Sequence, residues 1–327
     1  MIARFCTIDA VPDTVKNGVV AIGNFDGVHR GHQAVLHKAM ELLPDGPHIA
    51  LTFEPHPRSV FRPDSPVPRI TPATIKAEIL GALGFGAVFE IPFDTTFASQ
   101  TADTFVSTIL CGVLDAQHVV TGVDFHFGKN RQGGPAYLMD AGREKGFGVT
   151  LVDAYRDENA EIISSSRIRD HLFAGELIQA NGLLGYRYRV RGTVSAGKQL
   201  GRTLGYPTAN MAMPDTMPLA HGIYAVRIRD MHGIMRDGVA NFGRRPTVDH
   251  DGEVLLETYI FDFSGDLYGQ EADIIFCAHL RAEEKFDTLD ALIAQMQKDE
   301  SEARAVLATL QPLSALDDQL CLDKAGA

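Results

Sequence analysis

Through the first half of the chain, short apolar runs alternate with longer segments whose apolar positions recur every three or four residues. The short runs GVVAIGN (18–24), HIALTF (48–53), AVFEI (87–91), HVVTG (118–122) and GVTLVDA (148–154) read as strands. Between them, AVLHKAMELL (34–43), PATIKAEILGAL (72–83), ADTFVSTILCGVL (102–114) and PAYLMDAGREKG (135–146) carry helical spacing. Such alternation predicts an α/β domain, a parallel sheet with helices on both faces. In open sheets of this kind ligands settle at the carboxyl ends of the strands, where loops run into helix N-termini.

After about residue 180 the period drops to two. YRYRVRGTV (186–194), GIYAVRIRD (222–230), GIMRDGVANF (233–242), EVLLETYIFDF (253–263) and QEADIIFCAHL (270–280) follow one another with Gly, Pro and Asp turns between them. Closely spaced strands without intervening helices predict a small antiparallel barrel or sandwich. Helical spacing returns in LDALIAQMQKD (289–299) and SEARAVLATL (301–310). A chain of 327 residues exceeds what one core usually supports. The change of pattern places a boundary within AGELIQANGLLG (174–185), giving domains over 1–178 and 179–327.

Composition narrows the partners. With 30 Lys and Arg against 42 Asp and Glu, the net charge is −12. That surface repels nucleic-acid phosphates and anionic membranes, so neither is expected as a partner, whereas a small anionic substrate in a locally basic pocket is compatible with it. Cysteines at 6, 111, 277 and 321 show no paired or CxxC spacing, which argues against a disulfide framework or zinc knuckle and fits a reducing cytoplasm. The first residues lack an apolar signal-like stretch, and no later run approaches bilayer-spanning length.

The first concentration of chemistry is GNFDGVHRGH (23–32), directly after the first strand and before a helix. Gly23, Gly27 and Gly31 allow sharp turns and close approach of a ligand, and His29 and His32 share a face if the helix begins nearby. Helix-terminal amides and imidazoles together suit stabilisation of charge growing on a phosphate. The alternative is a glycine-rich turn with two surface histidines; a metal pair lacks a third ligand at suitable spacing. Farther on, Ser164, Ser165 and Ser166 open SRIRDHLF, where hydroxyls can cap a helix and Arg169 can meet phosphate oxygens.

In the second half, GTVSAGKQ (192–199) fits Gly-x4-Gly-Lys, but Gln199 stands where a P-loop needs Ser or Thr and no helix follows, so a P-loop is rejected. GRTLGYPTAN (201–210) is more informative. Gly201 and Gly205 permit tight turns, and Thr208 and Asn210, two apart, can aim a hydroxyl and an amide carbonyl at one Mg2+. The alternative there is a polar β-turn.

These motifs resemble those of the bacterial bifunctional riboflavin kinase/FMN adenylyltransferases. GNFDGVHRGH is similar to the HxGH signature of nucleotidylyltransferases, and Ile163–Arg169 to their ISSTxxR, with Ser166 where threonine is usual. TFEPHP (52–57) and GVDFHFGKNRQGG (122–134) resemble family loops lining the ATP and flavin sites. PTAN, the later Glu257 with Leu267-Tyr268-Gly269, NFGRRPT (241–247) and LRAEEKF (280–286) resemble the kinase half. Similarity runs from about residue 18 to 305.

The resemblance implies a Rossmann-like nucleotidylyltransferase domain followed by a six-stranded kinase barrel with trailing helices. It implies His29, His32 and Arg169 as stabilisers of phosphate charge in adenylylation, and Glu257 as base for the kinase, with Glu253 outside the matched pattern. ATP contacts fall to Gly23, Phe25, Asp26, Gly27, Ser164, Ser165 and Ser166 in the first half, and to Gly201, Arg202 and Gly205 in the second. Asp124 and Phe125 would lie near FMN, and Thr208 and Asn210 would hold Mg2+. Riboflavin, FMN and ATP are the implied partners, with weak self-association compatible. The competing expectation keeps the adenylyltransferase and makes the barrel a non-catalytic flavin-binding module.

Overall fold

The apolar runs of the first half are buried along most of their length, as strands covered on both faces must be, except the last, at the sheet edge, which is half-buried. In the computed structural model, which describes residues 2–8, 11–195, 206–244 and 252–322, they are β2 (Val19–Ile22), β3 (His48–Glu54), β4 (Ala87–Pro92), β5 (His118–Gly122) and β6 (Gly148–Val152). A three-residue strand that the pattern did not predict, β1 (Ala3–Phe5), pairs with β4. The sheet order is β1-β4-β3-β2-β5-β6, and every pair is parallel. The chain leaves β2 toward β3 on one side and later returns to β5 on the other, so β2 borders the topological switch point.

Helices Arg30–Leu42, Ala73–Ala82 and Pro135–Lys145 cover the sheet with their apolar positions buried. Gly146, left-handed at φ 87°, ends the last of these. Over 102–114 the expected α-helix is instead one short α-turn followed by a π-helical stretch, Phe105–Val113. Hydrophobic spacing over nine residues does not separate the two windings, because either buries Phe105, Val106, Ile109, Leu110 and Val113.

The period-two half forms β7 (Arg189–Thr193), β8 (Thr208–Ala212), β9 (Gly222–Arg229), β10 (Met235–Arg244), β11 (Val254–Ile260) and β12 (Glu271–Arg281). Their order is β7-β12-β9-β10-β11-β8, antiparallel throughout. Beyond β7, the Ser195 N–H donates to the Asn210 carbonyl at 2.8 Å and brings the two edge strands together, so the sheet is a nearly closed six-stranded barrel. One alternating set of side chains is fully buried: Tyr224, Val226 and Ile228 on β9, Phe242 on β10, Leu256 and Thr258 on β11. The other set on β9, β10 and β11 faces outward.

The two helical segments expected over 289–310 are one helix, Leu289–Ala308, lying against β9, β10 and β12. Asp299 sits at the expected break. It is buried and receives Arg281 through two bonds of 2.9 and 2.7 Å, so a polar residue in mid-helix marks a clamp rather than an end.

The described residues form two compact units, Met1–Ser165 and Ser166–Ala327. The second is closed at its C-terminal end by Asp317. This buried carboxylate pairs with the Arg187 guanidinium and accepts the main-chain N–H groups of Arg187 at 2.8 Å and Leu313 at 2.9 Å. Truncating one partner of such a pair leaves a buried charge unmatched. Asp317→Ala should therefore destabilise this unit by about 3–5 kcal/mol, read as a lowered denaturation midpoint.

Candidate active sites

In the first unit the loop after β2 carries three residues at positive φ in quick succession: Phe25 at 48°, Gly27 at 87° and Val28 at 35°. Only Gly27 adopts this without strain, so the surroundings must hold the loop in place. Asp26, 1% exposed, does so by accepting the N–H groups of Ile70 and Thr71, each at 3.1 Å. Thr71 Oγ1 in turn accepts the Gly27 N–H at 2.9 Å. Ser165 Oγ donates to the Asp26 carbonyl at 2.8 Å, so a member of the serine run fastens the same loop.

Beneath the loop lies a buried ionic group. Lys76 is wholly buried and donates to Glu54 Oε1 at 2.6 Å, Thr52 Oγ1 at 3.0 Å and the Asn24 carbonyl at 3.4 Å. Arg69 forks onto Glu54 at 2.6 and 2.7 Å and reaches Asp26 at 3.4 Å. Burial alone would raise the Glu54 carboxyl. The Arg69 hydrogen bonds and the Lys76 charge outweigh it and hold the group at about 2 instead of 4.5. Burial pushes the Lys76 ammonium below its ordinary value.

The loop delivers the two histidines together. His29 caps helix Arg30–Leu42, its Nδ1 accepting the His32 N–H at 3.3 Å, and the two rings stack with centroids 3.6 Å apart. Phe25 meets His32 edge-on at 5.4 Å. Small residues are required around them. A Cβ on Gly31 would lie 3.2 Å from the His29 ring, and one on Gly23 would lie 2.9 Å from the Phe25 ring. Asp124 and Phe125 follow β5 at the same carboxyl edge of the sheet. Asp124 is exposed, whereas Phe125 stacks on Phe127 at 5.6 Å, joining a cluster that includes Phe53 and Phe105. Ser164 is half-buried beside Ser165. Ser166 and Arg169 belong to the second unit, the first exposed and the second buried.

In the second unit a cavity of about 870 Å³ opens between the outward face of the barrel and helix Leu289–Ala308. Strand register sets its polar floor: Asn210 on β8 pairs with Glu257 on β11, which pairs with Asn241 on β10. All three line the cavity, as does Thr208. Tyr206, Tyr259, Phe263 and Phe286 supply aromatic walls, and Leu292 and Met296 face them from the helix. Glu253 is exposed and does not line the cavity.

The Asn210 side chain shows what its end of the floor can hold. Its Nδ2 donates to the Thr208 carbonyl at 3.1 Å and to Thr208 Oγ1 at 3.4 Å, while its buried Oδ1 has no partner among the described residues. As placed, the amide nitrogen faces the Thr208 hydroxyl; with the amide turned over, two oxygens would meet there, the donor type that a hard cation such as Mg2+ takes. Gly201, Arg202 and Gly205 lie outside the described residues, as do the last residues of NFGRRPT.

Lys76 and Arg69 stand outside every motif quoted from the sequence, whereas Glu54 and Asn241 fall within TFEPHP and NFGRRPT, where no individual task was given to them. For Lys76 the pattern gave no signal, since a lysine in an amphipathic helix reads as solvated. Asn241 broke an apolar run on a strand, which is a usable cue. Glu54 also gives the first unit an acid-sensitive element. Because its folded value lies below 4.5, its contribution is complete above about pH 4.5 and fades as pH falls toward 2. Glu54→Gln should lower the Tm of the first unit at neutral pH and flatten its decline between pH 4.5 and 2, measured by thermal melts across that range.

Comparison with known proteins agrees with this division. The family model for FAD synthetase matches residues 11–167, and that for riboflavin kinase matches residues 184–307. A bifunctional riboflavin kinase/FMN adenylyltransferase from Pseudomonas fluorescens is 38% identical over 292 residues, covering 89% of this chain and 93% of the relative. Its counterpart from Listeria monocytogenes is 39% identical, covering 90% and 94%. A crystal structure from Streptococcus pneumoniae, described as a macrolide-efflux protein, superposes with a TM-score of 0.81 at 30% identity, covering 93% of this chain and 98% of that one. Among the described residues here no helix is long and apolar enough to cross a membrane. By the extent of these matches, the chain belongs to the bifunctional riboflavin kinase/FMN adenylyltransferase family.

Proposed function

We propose that this chain phosphorylates riboflavin to FMN and adenylylates FMN to FAD, each reaction using its own ATP. The observation that carries the reading is the coexistence of two phosphate-suited sites, one per unit, each at the motif that its family model covers. We assign adenylylation to residues 1–178 and the kinase to 179–327. Riboflavin, FMN and ATP are the partners; a cytoplasmic setting is assigned from the unpaired cysteine spacing, and weak self-association remains compatible with the sequence.

In the kinase, the Glu257 carboxylate would orient the terminal ribityl hydroxyl and take its proton as the oxygen attacks the γ-phosphorus of ATP, breaking the bond to the β,γ-bridging oxygen and releasing ADP. Thr208 and Asn210 would hold Mg2+, which when bound offsets charge on the ATP phosphates. Tyr206, Tyr259 and Phe286 would cover the flavin and exclude water. Gly201, Arg202 and Gly205 are assigned to ATP from the motif alone.

In the adenylyltransferase, the FMN phosphate attacks the α-phosphorus of ATP and pyrophosphate leaves. His29 and His32 stabilise charge on the phosphates without acting as nucleophiles. Gly23, Phe25, Asp26 and Gly27 shape the turn that lets ATP approach the helix N-terminus, with Asp26 acting through the loop it anchors. Ser164, Ser165, Ser166 and Arg169 are assigned to ATP by their motif, and Asp124 and Phe125 to the flavin. An FMN adenylyltransferase with a binding-only barrel is disfavoured by Glu257 standing in the cavity beside Asn210.

The two sites should fail separately. His29→Ala should slow conversion of supplied FMN to FAD by about two to three decades, the scale of a lost electrostatic stabiliser, while riboflavin is still phosphorylated. Glu257→Ala should abolish FMN formation from riboflavin while supplied FMN still yields FAD. Chromatographic product assays on both variants check this; a kinase near wild-type rate in Glu257→Ala would refute the base assignment.

A further inference from the structure

The floor of the barrel cavity is graded across four neighbouring strands. In register order it runs Asn210, Glu257, Asn241 and Ile223, all lining the cavity. Adjacent strands are spaced by about 4.8 Å, so each step is close to the length of about four bonds along an extended chain. Asn210 and Thr208 form the end that suits a cation and phosphates. Ile223 forms the apolar end. Glu257 and Asn241 lie between.

Asn241 has no assigned task in that order, yet its Oδ1 is buried and has no partner among the described residues. The residue itself lines the cavity. A buried polar atom in that state costs free energy unless a ligand satisfies it. Thr258, the next residue along β11 from Glu257, is also without a hydroxyl partner, but it belongs to the fully buried interior set and does not line the cavity. Asn241 differs because it belongs to the cavity wall, between Glu257 and Ile223.

We propose that Asn241 determines specificity for the polyol chain of the substrate, its side-chain amide bonding one secondary ribityl hydroxyl and thereby holding the terminal hydroxyl on Glu257. The inference rests on the kinase reading of this unit and adds to it the residue that measures the chain. In-line transfer supports the placement. With phosphates at the Asn210 end and the attacking hydroxyl at Glu257, the rest of the acceptor must extend toward β10, where Asn241 stands, and then toward the apolar end.

The test compares wild type and Asn241→Ala on riboflavin and on three analogues lacking the 2′, 3′ or 4′ hydroxyl in turn, reading kcat/KM for phosphorylation. Asn241→Ala should lose about ten- to a hundredfold on riboflavin. For one analogue, wild type and variant should be equal, because the hydroxyl and its partner are then both gone. For the other two the variant should retain its full deficit. The same loss on all four flavins, or no loss on any, would overturn the proposal and leave Asn241 a structural residue. Asn241→Ser serves as a second variant, and a circular dichroism thermal melt of each preparation, unchanged from wild type, shows that the barrel is folded. Wild type failing to phosphorylate riboflavin would instead remove the kinase reading itself, and this proposal with it.

Discussion

Side-chain alternation under a fixed strand register is the constraint on which the barrel site depends. Residues on a strand point to opposite faces in turn, so a slip of one position along β11 would bring Glu257 into the barrel interior and Leu256 into the cavity. Burying an unmatched carboxylate among Tyr224, Phe242 and Met211 is costly, and exposing Leu256 forfeits apolar burial. The burial that stabilises the barrel therefore also aims Asn210, Glu257 and Asn241 at one surface. Strand pairing turns three residues far apart in sequence into adjacent points on a floor.

The first unit solves a related problem without register. Its parallel strands end together, and the chemistry rides on the loops beyond them. A loop with Phe25 and Val28 at positive φ does not hold itself, so it is fixed by side chains from elsewhere: Asp26 onto the 70–71 backbone, Thr71 onto Gly27, and Thr52 and Lys76 onto the Asn24 carbonyl. Lys76 is tolerable at zero exposure because Glu54, Thr52 and a carbonyl surround its ammonium. The stacked imidazoles and the tight packing at Gly31 are the visible result of that anchoring.

The sequence made the architecture legible wherever periodicity is the controlling quantity. Five of the six strands of the sheet and five of the six barrel strands follow from apolar pattern, because burial on two faces or one leaves different signatures. β1 escaped since three residues carry no period, and β8 escaped because Thr208–Asn210 read as a turn motif although the same residues pair with β11. Asp299 suggested a helix break because its partner, Arg281, is distant in sequence. For the sites, motif residues were visible one by one, but their supports were not. Nothing local tells that Lys76 is buried or that Asn241 stands beside Glu257; both facts are products of tertiary pairing.

The central claim is that two chemically different attacks on ATP occur on one chain, one at the γ-phosphorus and one at the α-phosphorus. Phosphorus labelling reads this directly. Purified protein is given riboflavin, Mg2+ and ATP labelled at either the α or the γ position, and the FAD formed is isolated. The account predicts that each FAD carries one phosphate from the γ position, on the riboflavin side, and one from the α position, on the adenosine side, with FMN carrying only the γ label. FAD absent, or FMN and FAD free of γ label when riboflavin is the sole flavin supplied, would contradict it.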